Sequence, residues 1–203
     1  MGSIRFGLFL SLGTLLGVGT AFSVDVSRAH ALPGQTTEAV AAWIQGHPTL
    51  RPSSGEKLLV RKSDTAAQRF TFQASVLPPG KVAPPRNAGM IRSEKFSLFD
   101  MINGVTRERL EESLRMIYSP DIYQDYAQGN VVYAYPTQAT LSQARNKAEP
   151  LLANIQGELR VGQRYAYWLE IAQSSEGKSY TGQITVLLKS DVEKLNTELR
   201  DRS

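Results

Sequence analysis

Apolar and polar side chains alternate most clearly over residues 68–76, with hydrophobic residues at positions 70, 72, 74 and 76. This period of two predicts a half-buried strand. Residues 58–61 form a shorter apolar run and residues 91–99 alternate more weakly, so both indicate further strands. The segment 77–86 contains four prolines and one glycine, which predicts a loop.

A spacing of three to four residues between apolar positions predicts two helices. Thr36 or Thr37 is placed to cap a short helix that runs through Ile44 and ends at Gly46. Thr106 is a natural N-cap for a second and better specified helix. The core-facing stripe of that helix consists of Leu110, Leu114 and Ile117.

Prolines divide the middle of the chain. Pro120 interrupts the second helix, and residues 121–128 predict another short helix after it. Residues 131–135 predict a strand, which the following proline stops. The polar stretch 137–157 is compatible with a helix and is split by Pro150.

The last part of the chain predicts a hairpin and a final helix. Residues 164–172 and 182–189 are two β-rich runs joined by a short polar segment. Ser190 and Glu193 have the spacing of a capping box. Because strands come in adjacent pairs separated by helices, we expect an α+β fold. Residues 32–203 should form a single domain with an antiparallel or mixed sheet flanked by helices and a C-terminal β-hairpin followed by a helix.

The first 31 residues have the pattern of a secretory signal peptide. Arg5 precedes an apolar run over residues 6–22, and Ala29 and Ala31 form the small-x-small site that a signal peptidase accepts. We expect export, with cleavage near Ala31. The alternative is a retained anchor, because 17 apolar residues almost cross a bilayer.

Composition excludes several kinds of site. The chain has no cysteine, which excludes disulfides, thiolate metal sites and a lipid-modified cysteine. Beyond the predicted signal peptide the only histidine is His47, so a zinc or copper site built on histidines is excluded. No serine nucleophile motif accompanies His47. We therefore expect no metal, no cofactor and no catalytic residues of these types.

Residues 172–179 match a relaxed phosphate-loop pattern, A-x-x-x-x-G-K-S. A phosphate-binding loop needs a helix directly after it, whose N-terminus faces the anion. This segment instead leads into a predicted strand. We therefore expect no nucleotide binding.

Positive charge is concentrated in the first half of the chain. Residues 32–203 carry a net charge of +3, but residues 51–95 contain nine cations and three acids. Such a region can meet an acidic protein face, an anionic lipid surface or another polyanion. Alternatively, these cations are the solvated side of half-buried strands. The total charge is too small to indicate a nucleic-acid partner.

Two pairs of carboxylates have helical i, i+4 spacing. They are Asp121 with Asp125 and Glu108 with Glu112. As paired acids they allow a carboxylate-dependent hydrolase, which requires that one of them lie in a concave pocket with a raised pKa. As surface groups they are explained by the helix dipole and by neighbouring arginines.

Five of the eight tyrosines fall between positions 118 and 135. Tyrosine suits a protein interface, because it joins a large apolar body to a polar tip. It equally suits a core whose phenols reach the rim. If the tyrosines are functional, the segment predicts an exposed patch together with the basic loop 78–92. The candidate interface residues are Tyr118, Tyr123, Tyr126, Tyr133, Tyr135, Lys81, Arg86 and Arg92.

Three segments, 121–126, 131–136 and 182–189, resemble uncharacterised exported proteins of cyanobacteria. The resemblance implies the periplasm or the thylakoid lumen as the compartment and carries no catalytic residues. We therefore expect an exported, non-enzymatic binding or accessory module, such as an assembly factor. Its expected partner is a protein, for example a membrane complex. The carboxylate hydrolase and the binder of anionic lipid or polyanion through residues 51–95 stand as alternatives.

Overall fold

The computed structural model describes residues 32–80, 89–147, 154–174 and 177–201. The predicted signal peptide, with its cleavage site at Ala31, lies outside the described residues, as do Lys81 and Arg86. Within the described ranges, no helix combines the length and the apolar character needed to cross a membrane.

Seven antiparallel strands form one sheet at the centre of the domain. Its order is β1-β2-β3-β7-β6-β5-β4, so β1 and β4 are the edges. Each ladder joins strands that run in opposite directions. The strands are β1 (Leu59–Thr65), β2 (Gln68–Ser75), β3 (Ser93–Asp100), β4 (Asn130–Tyr135), β5 (Ile155–Val161), β6 (Ala166–Gln173) and β7 (Ser179–Leu187).

Five α-helices are present in the described part of the chain. They are α1 (Thr37–Gly46), α2 (Arg107–Ile117), α3 (Pro120–Ala127), α4 (Gln138–Lys147) and α5 (Val192–Asp201). The side chains of Thr36 and Thr106 accept hydrogen bonds from the first turns of α1 and α2, which confirms both predicted N-caps. The expected α+β domain, with a C-terminal hairpin and a final helix, is confirmed.

The main core lies between the sheet and the helices α1, α2 and α3. A row of fully buried side chains crosses four neighbouring strands in register, and its members are Phe72, Phe96, Ile184 and Leu169. Helix α2 packs closely on this side of the sheet at Gly182, where a Cβ atom would lie 3.0 Å from the side chains of Val105 and Leu110. The helices therefore bury the apolar face that the alternation in β2 predicts.

A smaller core lies on the opposite side of the sheet. Leu195 and Leu199 of α5 pack there against Tyr133, Leu159 and Trp168. The apolar side of the final helix thus faces the sheet. Because α5 covers only the strands near β4, the two sides of the sheet are covered unequally.

Two sequence predictions differ from the structure. Residues 155–157 belong to strand β5, not to a helical stretch. The side chains of this strand alternate between the two sides of the sheet: Leu159 faces the smaller core, whereas Glu158 and Arg160 form ion pairs on the other side. Ser190 lies inside a short 3₁₀ turn and accepts a hydrogen bond from Arg92, so it is not the cap of α5.

A carboxyl group is buried in the main core. Glu94 of β3 has no exposed surface, and its Oε2 accepts a hydrogen bond of 2.7 Å from the hydroxyl of Tyr118. Its Oε1 has no hydrogen-bond partner among the described residues. Burial raises the pKa of Glu94 to about 8, because the charged form loses its hydration. The native protein therefore holds this proton at neutral pH.

We expect Glu94→Gln to remove one component of the pH dependence of stability. Native Glu94 keeps its proton to about pH 8, whereas the unfolded side chain releases it near 4.5, so the native state binds more protons in this window. As pH rises between these two pKa values, the free energy of unfolding of the wild type should fall relative to that of Glu94→Gln, by up to about 1.4 kcal/mol per pH unit. Urea unfolding from pH 5 to pH 9 measures this difference.

Tyr118→Phe is the matched control, because it removes the hydrogen bond but keeps the ionisable carboxyl. It should retain the wild-type decline. Parallel stability curves for the wild type and Glu94→Gln would contradict the assignment.

Candidate functional site

The tyrosine segment is largely internal. Tyr118, Tyr126 and Tyr133 are 7%, 2% and 8% exposed, and Tyr123 and Tyr135 are half-buried. These side chains do not form the exposed patch that their spacing predicts. They match the other interpretation of the segment, in which the rings belong to a core formed between helices and a sheet.

Besides Tyr118, two of these tyrosines donate hydrogen bonds to half-buried carboxylates. Tyr126 donates a hydrogen bond of 2.9 Å to Glu111, and Tyr135 donates one of 2.6 Å to Glu170. Burial, followed by the bond to Glu111, raises the pKa of Tyr126 well above its ordinary value. The phenols thus act as hydrogen-bond donors that hold α3 and β4 in place.

The carboxylates of α3 have different structural roles. Asp125 is buried and accepts hydrogen bonds from the backbone N–H groups of residues 163–165, at 2.7 to 3.2 Å, and from the hydroxyl of Tyr167 at 2.8 Å. Asp121 is exposed and forms an ion pair of 2.5 Å with Arg164. A hydrogen bond from Ser119 is the main cause that lowers the pKa of Asp121.

The other carboxylate pair lies at the start of α2. The helix backbone lowers the pKa of Glu108, and the side chain of Glu112 forms an ion pair of 2.8 Å with Arg115. Neither Asp121 nor Glu108 has the raised pKa that an acid catalyst in a hydrolase would need. The pair of Glu108 and Glu112 is accounted for by a helix end and a salt bridge. Asp121 also forms a salt bridge, whereas Asp125 is accounted for by the hydrogen bonds that it accepts from the turn and from Tyr167.

A pocket of about 560 Å³ lies at the N-terminal end of α2. Gly177, Lys178 and Ser179 of the phosphate-loop-like segment line it, opposite Thr106 and Arg107. Ser179 begins strand β7, so the segment lacks the helix that a phosphate loop requires. The described residues contain no group of three or more carboxylate and imidazole side chains that could hold a metal ion.

Four of the basic residues of the first half illustrate two different environments. Arg92 forms a bidentate pair with Asp191, with distances of 2.5 and 3.1 Å, and is therefore neutralised by α5 and the turn before it. Arg61, Arg69 and Lys95 instead project from strands β1, β2 and β3 on the side of the sheet opposite α1, α2 and α3.

We call this open side of β1, β2 and β3 the outer sheet face. Arg61, Arg69 and Gln73 are exposed on it, so no described element covers that part of the sheet. Arg69 lies over the ring of Phe99, with its guanidinium carbon 4.4 Å from the ring centre. Strand register places eleven side chains of β1 to β3 on this face, and none of them is a carboxylate: Leu59, Arg61, Ser63, Arg69, Thr71, Gln73, Ser75, Ser93, Lys95, Ser97 and Phe99. Asp64 lies at the register irregularity of β1 and has no cross-strand partner in this ladder.

Sequence reasoning identified the local excess of cations but not this surface. The alternation in β2 already places Arg69 and Gln73 on one side. Register decides whether Arg61 of β1 and Lys95 of β3 join them, and register depends on pairings that the sequence does not display.

No family model, no curated protein and no solved structure matches the chain. A functional assignment therefore rests on the chain's own residues and their geometry.

We expect Asp125→Ala and Asp121→Ala to have unequal effects on stability. Removing Asp125 leaves buried N–H groups without acceptors, which should cost about 3 kcal/mol of unfolding free energy. Removing Asp121 breaks only an exposed ion pair and should cost less than about 0.5 kcal/mol. Urea unfolding at pH 7 compares the two. Equal losses would show that Asp125 does not hold the turn between β5 and β6.

Proposed function

We propose that this protein is an exported, non-enzymatic binding or accessory module that docks an acidic protein partner on its outer sheet face. One observation carries the proposal: the paired residues of β1 to β3 place three cations and no carboxylate on the outer sheet face, a part of the sheet away from the strands that α5 packs against. A patch of one charge sign attracts a complementary surface and sets the orientation in which the partner docks.

The composition of the face favours a protein partner. Arginine and aromatic residues are enriched in protein interfaces, and the stacked pair of Arg69 and Phe99 supplies both in one fixed arrangement. Stacking reduces the conformational freedom that Arg69 would otherwise lose on binding. The remaining serine, threonine and glutamine side chains offer hydrogen bonds across the interface.

The same face is less suited to a lipid surface. Recognition of anionic membranes usually involves clusters of about four to eight basic residues. Arg61, Arg69 and Lys95 are fewer, and Arg92 is already paired with Asp191. Binding of anionic lipid or polyanion is therefore a competing outcome of the test below.

The signal-peptide pattern and the resemblance to exported cyanobacterial proteins support a periplasmic or lumenal location. A partner in that compartment, such as a subunit of a membrane complex, would have to present an acidic surface. No cofactor, nucleotide or nucleic acid enters the proposal.

The test compares two charge reversals that change net charge equally. Arg61→Glu with Arg69→Glu alters the outer sheet face, whereas Lys178→Glu with Lys189→Glu alters exposed cations elsewhere. The tagged full chain is produced in its native exporting cell, cross-linked there, and analysed by mass spectrometry. We expect cross-links from β1 to β3 to an acidic segment of one protein. The outer-face variant should lower affinity for that purified protein at least tenfold, and the control variant should not.

Ionic strength and vesicles complete the test. Affinity for the protein should fall as salt rises, because charge complementarity is screened. The proposal fails if both double variants bind the partner equally. It also fails if the wild type floats with vesicles of phosphatidylglycerol and phosphatidylcholine at physiological salt and the outer-face variant does not, since the face would then serve a lipid surface.

A further inference from the structure

A small pocket of about 250 Å³ is set into the outer sheet face where the loop after β2 folds back over the strands. Its floor comes from four neighbouring strands, and its roof is the segment 77–80. The floor residues that matter here are Gln73, Lys95, Trp168, Gln183 and Thr185.

The roof of this pocket is held at three points. Ser93 donates a hydrogen bond of 2.9 Å to the carbonyl of Leu77, whose own N–H donates to Ser75 at 3.0 Å. Gly80, at φ +78°, rests against the carboxylate of Glu198 on α5, where no Cβ atom would fit. The pocket is therefore a built feature of the fold.

Thr185 gives this pocket an unused polar group. The residue is 3% exposed, and its hydroxyl has no hydrogen-bond partner among the described residues. A buried hydroxyl without a partner costs free energy, so native structures rarely retain one without a reason. Thr185 lines the pocket, so a rotation of its side chain would bring this hydroxyl to a ligand that supplies the missing partner.

Lys95 gives the pocket a single uncompensated charge. None of the ion pairs formed by the described residues includes Lys95, and none of the residues lining the pocket is a carboxylate. Glu198 lies beyond the roof and pairs with Lys194 at 3.3 Å. The pocket therefore favours a ligand that carries one negative charge.

We propose that this pocket binds a sugar acid, that is, a small polyhydroxylated carboxylate such as a hexuronate. The ammonium of Lys95 would pair with the carboxylate. The amides of Gln73 and Gln183 can both donate to and accept from hydroxyl groups, and Thr185 completes the set. Trp168 offers an apolar ring wall to the carbon-bound hydrogens of the sugar. The volume equals that of about eight water molecules, which suits one sugar unit.

The pocket shares Lys95 and Gln73 with the outer sheet face, but the two proposals are tested with different variants. The partner test changes Arg61 and Arg69, which do not line the pocket, whereas the ligand test changes Lys95 and Thr185, which do. Either proposal can fail while the other stands.

The experiment titrates glucuronate, glucose and acetate separately into the full chain, using calorimetry and thermal unfolding. We expect saturable binding of glucuronate that is at least tenfold tighter than that of glucose or acetate, since only glucuronate has both the charge and the hydroxyl groups. Lys95→Gln should abolish the preference for glucuronate over glucose. Lys178→Gln, at an exposed cation outside this pocket, should leave it unchanged.

Thr185→Val separates binding from folding. The methyl group keeps the shape of the side chain and removes the unpartnered hydroxyl, so the melting temperature without ligand should stay the same or rise. Its affinity for glucuronate should fall at least threefold. The proposal is overturned if glucuronate at 20 mM, about the weak limit of a millimolar site, gives no saturable signal. It is also overturned if Lys95→Gln or Thr185→Val binds glucuronate as the wild type does.

Discussion

The carboxylate of Asp125 holds together the parts of the molecule that meet beside α3. Its two oxygens accept three backbone N–H groups from the turn between β5 and β6 and a fourth hydrogen bond from Tyr167 in the core. The arrangement requires a glycine at position 162, because a Cβ atom there would overlap this carboxylate. One buried carboxyl group thus fixes a helix, a turn and a strand together. Its burial is compensated because it accepts four hydrogen bonds.

The unequal covering of the sheet follows from where its helices lie along the chain. Helices α1, α2 and α3 pack over the main core, and α5 packs on the opposite side near Leu159 and Trp168. Strands β1 to β3 consequently keep one solvated side, as antiparallel sheets allow. Their polar and cationic side chains on that side follow from solvation, and the absence of carboxylates among them distinguishes this surface from an ordinary solvated one.

Local patterns predicted the elements whose signals are contained within them. The alternation in β2, the cap at Thr106 and the hairpin of β6 and β7 each have a short-range cause and are confirmed. The local pattern does not predict strand β5, because Glu158 and Arg160 resemble surface residues. In the structure Glu158 pairs with both Arg160 and Arg107 on the side of the sheet that faces the helices.

A local sequence pattern could not predict the outer sheet face or the pocket, for a similar reason. Tyrosine occurs both in protein cores and in interfaces, so the sequence alone does not determine whether Tyr118 and Tyr126 are buried. The pocket beside Lys95 takes residues from four strands that are distant in the chain. Only the register between those strands brings them together.

The order of the strands also determines when the domain can close. The sheet consists of a three-strand meander, β1 to β3, and a four-strand meander, β4 to β7, which meet only where β3 pairs with β7. Residues paired in that ladder are 82 to 94 positions apart, from Phe99 with Thr181 to Ser93 with Leu187. Closing so long a loop carries an entropic cost before the contacts repay it. A chain delivered N-terminus first therefore leaves the edge of β3 unpaired until β7 arrives.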